Sequence, residues 1–514
     1  MHSPSARLAG IVVALLIVSA APAWAQNQTP DVTPVLREDS VPFRISIEPA
    51  GFSLPSGLQS YVAATSGGRW LLLAGRSNGL HGFNNDDNNF PANQQNTSVF
   101  VVDPVAQTVT QRSLTLAAAG LTQAEVDLLS VTNAQSYQLG NTLYVSGGYG
   151  IDTASGDFTT KDALSAIDVP GLMQWVVNAA PGETAAQHIR QTHDAVLQVT
   201  GGDMELGANG VTLLIFGQDF LGAYVGSSNG TYTEQVRRLR IVDDGVNLNV
   251  VPLAAQPLAP DANYRRRDLN VVPMIADAAD AGWMALAGVF TPGTGVWTVP
   301  VDISSGGTPS MPDPSGAATF KQGMNSYASA NIGVYSSVSR QMYTVLFGGI
   351  SYGYFDGGIF TTDAELPFTN QVTTIRRGHN GSMSQYRMSG EFPVIASTGS
   401  NAGNTLLFGA GAHLFAADAT PAYANGVLDF EQLGIQPRVI GYIAGGIMST
   451  LPNTAAPSDS AASPFIFKVT LTPVGQSVPV PALSALALAA LALLLATSGL
   501  VLWRARLRNA RVGA

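Results

Sequence analysis

Asp203 and Glu205 stand two residues apart in the segment Gly201-Gly202-Asp203-Met204-Glu205. If that segment opens a strand, residues i and i+2 face the same way, and the two carboxylates share one environment. A like-charged pair raises a pKa, which suits general acid or base work, or it binds a cation. The alternative is structural pairing with nearby cations. Those stand at Tyr264-Arg265-Arg266-Arg267-Asp268, the densest charge cluster of the chain's body. Arg265, Arg266 and Arg267 could hold a carboxylate or sulfate through paired N–H groups. In the alternative, some arginines face solvent while others pair with Asp268 or Glu205. His379, in Arg376-Arg377-Gly378-His379-Asn380, is a further ligand-binding candidate.

Metal chemistry has little support. The chain has six His and no His-x-His or His-Glu-x-x-His spacing. The loop Asn84-Asn85-Asp86-Asp87-Asn88-Asn89 is rich in oxygen ligands, so Asp86 and Asp87 could bind Ca²⁺. EF-hand spacing is absent, and Asn/Asp clusters are ordinary turn formers. No resident cofactor is expected. With no cysteine, thiol catalysis, thiolate metal sites and disulfides are excluded. No nucleophile elbow, P-loop or dinucleotide fingerprint is present.

Composition bounds the architecture. The 514 residues are 46% hydrophobic and only 12% charged, with 54 Gly and 30 Pro. That balance fits many short strands joined by turns rather than a helical bundle or a charged disordered chain. The formal net charge is −10, and Arg7 and the terminal arginines lie outside the body, which is more acidic still. An acidic body with scattered cations argues against nucleic acid as a partner.

One element recurs. A hydrophobic run of about five residues ends in Gly, often Gly-Gly: Leu73-Ala74-Gly75, Ser146-Gly147-Gly148, Phe216-Gly217, Ala287-Gly288, Phe347-Gly348-Gly349 and Ala444-Gly445-Gly446. After the first four, a polar stretch leads to a second apolar strand that closes near Asp103, Asp168, Asp243 or Asp302. Runs apolar on both faces are strands sandwiched between neighbouring sheets, the condition of a propeller blade's middle strands. This pattern resembles the kelch repeat, with Trp175 where a kelch Trp is expected. The resemblance implies an all-β, kelch-like β-propeller over residues 26–472, with six blades favoured and seven the alternative. Leu406 to Gly411 would be an inner strand of the last blade or would head the seventh. The galactose oxidase chemistry found on such propellers needs a Cys that this chain lacks.

Pairing of Phe43-Arg44-Ile45-Ser46-Ile47 with Phe465 to Leu471 would join the two ends in one blade and remove exposed edges. Helix signals are sparse. Ala117 to Leu129 has helical character, with Thr122 placed to cap and Glu125 three residues on. Ser449 to Ser463 reads as a polar insertion between strands.

The ends carry an address. Arg7, the apolar run Leu8 to Ala21 and the small-x-small site Ala23-Trp24-Ala25 read as a signal peptide over residues 1–25, recognised by the Sec export machinery. Residues 473–481 read as a linker. The uncharged run 482–503 is long enough to cross a bilayer as a helix. Arg504, Arg506, Arg508 and Arg511 follow in a basic tail, 504–514, that stays cytoplasmic by the positive-inside rule. Pro481, Leu483 and Ser484 before the run, with Arg504 and Arg506 after it, resemble the bacterial IPTL-CTERM sorting domain and, more loosely, the PEP-CTERM class. That resemblance implies a Gram-negative envelope and processing by a membrane sorting protease. A plain C-terminal anchor is the alternative, and both put the body in the periplasm or outside the cell.

Two functions are therefore expected. One is a non-catalytic surface or envelope propeller that binds an extracellular polysaccharide or protein, with exposed Tyr149, Tyr224, Tyr232, Tyr352 and Tyr354 stacking on sugars. The other is an exported glycan-acting hydrolase or lyase that uses Asp203 and Glu205, with the arginines binding an acidic substrate.

Overall fold

Each of the six Gly-ended runs is the second strand of its own antiparallel sheet. The computed structural model describes residues 32–82, 89–225, 230–275, 282–293, 295–454 and 456–474, with 497, 498 and 500. The signal peptide, Asp86 and Asp87, the sorting-signal residues Pro481, Leu483, Ser484, Arg504 and Arg506, and nearly all of the C-terminal apolar run lie outside these residues. Among the described residues, no helix is long and apolar enough to cross a membrane.

The first sheet is built from Val62–Ser66, Arg69–Leu73, Ser98–Asp103 and Thr108–Ser113. The second uses Gln135–Leu139, Thr142–Ser146, Ala163–Asp168 and Ile189–His193. The third uses Asp203–Leu206, Thr212–Ile215, Val236–Asp243 and Leu248–Gln256. The fourth uses Asn270–Pro273, Trp283–Leu286, Val301–Ile303 and Pro309–Ser310. The fifth is widened to six strands: Ala330–Ser336, Gln341–Ile350, Phe368–Gly378 and Met383–Glu391 are flanked by the parallel additions Val35–Arg37 and Leu428–Asp429. The sixth joins Ala412–Ala416, Arg438–Gly445 and Phe465–Pro473 to Phe43–Ser53 from the N-terminal end.

First strands of successive sheets touch one another: Val62–Ser66 meets Gln135–Leu139, which meets Asp203–Leu206, while Ala330–Ser336 meets both Asn270–Pro273 and Ala412–Ala416. The first strands therefore surround a central axis, and the fold is an all-β propeller. The ends close it as expected, with Ile45 opposite Leu471 and Ile47 opposite Val469.

Alternation along the second strands explains their two apolar faces. Leu213 and Ile215 pack with Val271 and Ala285 in the seam between the third and fourth sheets. Leu214, between them in sequence, packs with Tyr144 and Leu164 toward the second sheet. The seam between the first and sixth sheets is sealed by Trp70 stacked on Phe415, with centroids 4.3 Å apart. Burying such a large side chain contributes about 2–3 kcal/mol.

The Gly-ended repeat has a conformational cause. Both residues of each terminal pair have positive φ, as in Phe216 (58°) and Gly217 (86°) or Gly445 (65°) and Gly446 (86°). This turns the second N–H sideways into the next sheet. Gly75 donates to the Val131 carbonyl, Gly148 to Val199, Gly217 to Arg266, Gly349 to Phe408 and Gly446 to Leu58. At Gly217 a Cβ would come within 2.8 Å of the Gly202 nitrogen, so the second position admits only glycine. The first position accepts Ala74, Phe216 and Ala287 at a modest conformational cost.

Two expectations are corrected. Leu406 to Gly411 forms no strand of the last sheet and heads no seventh sheet among the described residues; Leu407 makes a single bridge to Ser449, and the inner strand is Ala412–Ala416. Phe408 instead plugs the seam beside Phe392 and Phe467. Trp175 lies not on a strand but on helix α2 (Val169–Asn178); α1 is the expected helix, Gln123–Leu129, with its Thr122–Glu125 capping box. Val169, Leu172, Met173 and Val176 recur at helical spacing and bury α2 over the seam between the first and second sheets. The Ser449 to Ser463 insertion is bounded by a small hairpin, Ile447–Ser449 paired with Ser460–Ala462.

Candidate ligand site at one mouth of the channel

A second set of positive-φ residues lies just before the first strands: Ser60, Asn133, Gly201, Asp268, Ala328 and Gly411, all with φ between 46° and 68°. Their backbones bond around the axis. Ser60 N–H donates to Gly411, Asn133 to Ser60, Gly201 to Asn133, Asp268 to Gly201, and Gly411 to Ala328. These backbones encircle the propeller axis at its mouth, the end of the sheets where the glycine pairs lie.

The chain leaving each glycine pair crosses over this mouth. The residue after the pair bridges the start of the next first strand or of its own: Arg76 pairs with Gln59, Tyr149 with Thr132, Gln218 with Thr200, Val289 with Arg267, and Ile350 with Tyr327. Long connections to the third strands then fold inward and bring aromatic rings together. His81 stacks on Phe90 at 4.8 Å and meets Tyr224 at 4.6 Å. Phe90 also meets Tyr149 at 5.4 Å and Tyr224 at 5.3 Å, and Phe220 meets both tyrosines.

The arginine cluster enters from the fourth sheet. The Arg267 guanidinium lies 5.3 Å from the Phe290 ring centre and 5.9 Å from that of Tyr224. It donates to the hydroxyls of Tyr232 (3.2 Å) and Tyr224 (3.4 Å) and pairs with Asp268 at 3.2 Å. Asp268 also accepts from Asn133 Nδ2 at 3.1 Å. Burial raises the Asp268 pKa, and Arg267 and Asn133 oppose the rise. Burial likewise pushes the Tyr327 hydroxyl up, reinforced by the charge of Asp268. His81 is pushed down to about 4, first by burial and then by Arg267 and Arg76, so its ring is neutral at pH 7.

The other two arginines behave differently from expectation. Arg265 covers the Tyr232 ring at 3.9 Å and donates to the Phe290 carbonyl at 2.5 Å rather than facing solvent. Arg266 is fully buried over Trp297 and donates to the carbonyls of Ala287 and Val299; no carboxylate among the described residues pairs with it. Burial pushes it down to about 9, which leaves it charged at neutral pH.

Asp203 and Glu205 stand on the first strand of the third sheet, as expected, and Gly201 packs against Arg267 and Asp268. They do not pair with the arginines. Asp203 accepts from the N–H of Met204, and the Val271 N–H and the Trp283 side chain beside the pair favour the charged forms of Asp203 and Glu205 respectively. Burial pushes Asp203 up to about 7; burial and the charge of Asp203 raise Glu205 well above the usual range. Each keeps some exposed surface despite this desolvation.

His379 is separated from this group. It is exposed on the turn between Phe368–Gly378 and Met383–Glu391, at the opposite end of the fifth sheet from Gly348 and Gly349. Of the tyrosines expected to be exposed, Tyr149, Tyr232 and Tyr352 are buried, and Tyr224 and Tyr354 are half-buried. Their rings find packing partners in the inserted loops. Arg76, His81, Phe90 and Phe220 were missed in the sequence. Aligning the residue after each glycine pair would have placed Arg76 beside Tyr149. Among the described residues, no group of three or more His, Asp or Glu could hold a metal ion.

No protein-family model matches the chain, and no curated protein matches it. Among solved structures, one titled "Structure of YjhT" is similar over 82% of this chain and 98% of that chain, at 10% sequence identity and a TM-score of 0.42.

Proposed function

We propose that this chain is an exported, envelope-associated, kelch-like propeller whose six sheets are six blades, and that it binds an extracellular polysaccharide or protein at the aromatic mouth of its channel without catalysing a reaction. The observation that carries this reading is the convergence of the half-buried rings of Phe90 and Tyr224 with Arg267 at one mouth, against the buried Tyr149. Aromatic faces stack on sugar rings, and a guanidinium fixed by hydroxyls offers directed donors. Export by the Sec machinery, a membrane-spanning segment at 482–503 and recognition of Pro481, Leu483 and Ser484 by a sorting protease complete the reading. They rest on the sequence of the two ends.

A second reading has one observation in its favour. Asp203, held near pH 7, lies on the channel wall next to the same mouth and suits the general acid of a glycan-acting hydrolase or lyase. Incubation of the protein with polysaccharides, followed by reducing-end and unsaturated-product assays, separates the two. The binding reading predicts retention without turnover. Turnover that disappears in Asp203→Asn establishes the catalytic one.

A further inference from the structure

Arg76 is 1% exposed, and its Nη1 group has no hydrogen-bond partner. Its Nε donates to Asn78 Oδ1 at 2.9 Å and its Nη2 to the Pro91 carbonyl at 2.8 Å. The guanidinium lies 4.9 Å from the centre of the Phe90 ring. Phe90 in turn contacts His81, Tyr149 and Tyr224, so Arg76 belongs to the mouth already described. No described carboxylate forms an ion pair with it. Asp268, the acid of this mouth, is engaged by Arg267 and Asn133.

An arginine keeps its charge at physiological pH, and burying a charge without a counter-charge is strongly unfavourable. Burial lowers the Arg76 pKa only to about 10, which does not remove the charge. His81 offers no counter-charge, being neutral at pH 7. Arg266, the other fully buried arginine, directs its two terminal nitrogens at carbonyls and Met311 inside the fourth sheet, away from these rings. Among the described residues, Arg76 is therefore a cation beside the rings of the mouth with an unused terminal donor and no balancing acid.

We propose that Arg76 is the anchor for a carboxylate group of the ligand, which would be an acidic sugar rather than a neutral one. This rests on the reading of the mouth as a ligand site and names the chemistry taken there. Nη1 remains to donate to one oxygen of a carboxylate, beside the Phe90 ring over which the guanidinium lies. A dianion would bring a second charge that this one guanidinium does not balance.

The test is titration calorimetry on the full-length protein in detergent, with glucuronate, glucose, sulfate and inorganic phosphate as probes. Glucuronate is expected to bind at least about tenfold more tightly than glucose. Arg76→Gln should lower its affinity by about tenfold or more, while Arg76→Lys retains part of it. Thermal unfolding of the wild type, which does not depend on a variant's folding, should shift upward with glucuronate and not with glucose. Equal or tighter Arg76-dependent binding of sulfate or phosphate overturns the carboxylate assignment. So does the absence of any glucuronate shift together with equal destabilisation by Arg76→Gln and by the double variant Asp86→Asn, Asp87→Asn, since the balancing charge is then the chain's own. A neutral polysaccharide bound through Tyr224 and Arg267 without a carboxylate effect defeats this inference alone. Failure of the wild type to bind any glycan or protein defeats the reading beneath it.

Discussion

The backbone N–H of Gly446 donates to the carbonyl oxygen of Leu58 at 2.8 Å, tying the last sheet to the first across nearly the whole length of the body. The same bond recurs from Gly75, Gly148, Gly217 and Gly349 to the sheet that follows each of them. The glycine of the repeat is thus a connector between sheets and not merely a turn residue.

Gly446→Ala should therefore be costly. The residue has φ of 86°, and a Cβ would meet the Ala410 oxygen and the Ala412 Cβ, each at 2.7 Å. Loss of at least about 2 kcal/mol is expected. Gly426 has nearly the same φ, 83°, but open space around it, so Gly426→Ala should cost about 1 kcal/mol. Urea denaturation of both variants checks the difference.

Asp203 gives a pH signature. Its folded pKa of about 7 exceeds its ordinary 3.8, so the folded state holds the proton more tightly. The contribution of this group to stability is greatest below about pH 4 and is lost as pH rises toward 7. His81, pushed down to about 4, acts in the opposite direction between pH 4 and 6.5, and Glu205, raised beside Asp203, acts in the same direction as Asp203, so the raw profile blends all three. Asp203→Asn should be more stable than the wild type at pH 8 and should lose that advantage by pH 4. Denaturant midpoints at the two pH values decide it.

Asp243 holds two sheets together. Both oxygens of its carboxylate accept from one nitrogen of Arg190, Nη2, at 2.7 and 2.9 Å, and one of them accepts from the Tyr144 hydroxyl at 3.0 Å. Its side chain is 8% exposed. Asp243→Ala leaves both donors unsatisfied and should cost about 1–3 kcal/mol. Asp243→Asn, which still accepts from Tyr144, should cost less; calorimetric unfolding compares them.

Much of this architecture was legible in the sequence. The Gly-ended runs gave the second strands, because strands buried on both faces are apolar throughout and the following glycine is obligatory. The closing pair Phe43 to Ile47 and Phe465 to Leu471 was equally plain from alternation. The recurring Asp after each third strand was seen, but its role was not. Asp103 caps a turn at Val105 and Ala106, Asp243 binds Arg190, and Asp302 binds Arg377, so one sequence position serves unrelated partners. The mouth was half legible. The cluster Arg265 to Asp268 announced itself by charge density, whereas Arg76 and Phe90 are isolated in sequence and acquire meaning only when the long connections converge. Helix α2 carries helical spacing at Val169, Leu172, Met173 and Val176, but the likeness of Trp175 to a kelch Trp drew the segment into the strand repeat.

The address at the ends leads to its own prediction. Intact mass of the native protein should show a start at Gln26 and a terminus near residues 480–490, with the body at the surface or in the medium. Pro481→Ala should leave the tail attached. An intact tail in the inner membrane of the wild type would mean a plain anchor instead.

The measurement closest to the central claim is binding of the native protein to a panel of extracellular polysaccharides and surface proteins, compared with Tyr224→Ala and Arg267→Gln. Saturable binding that weakens about tenfold or more in each variant, with folding intact by circular dichroism, is the predicted result. Binding that is undiminished in both variants would contradict it and would move the ligand site away from the mouth of the channel.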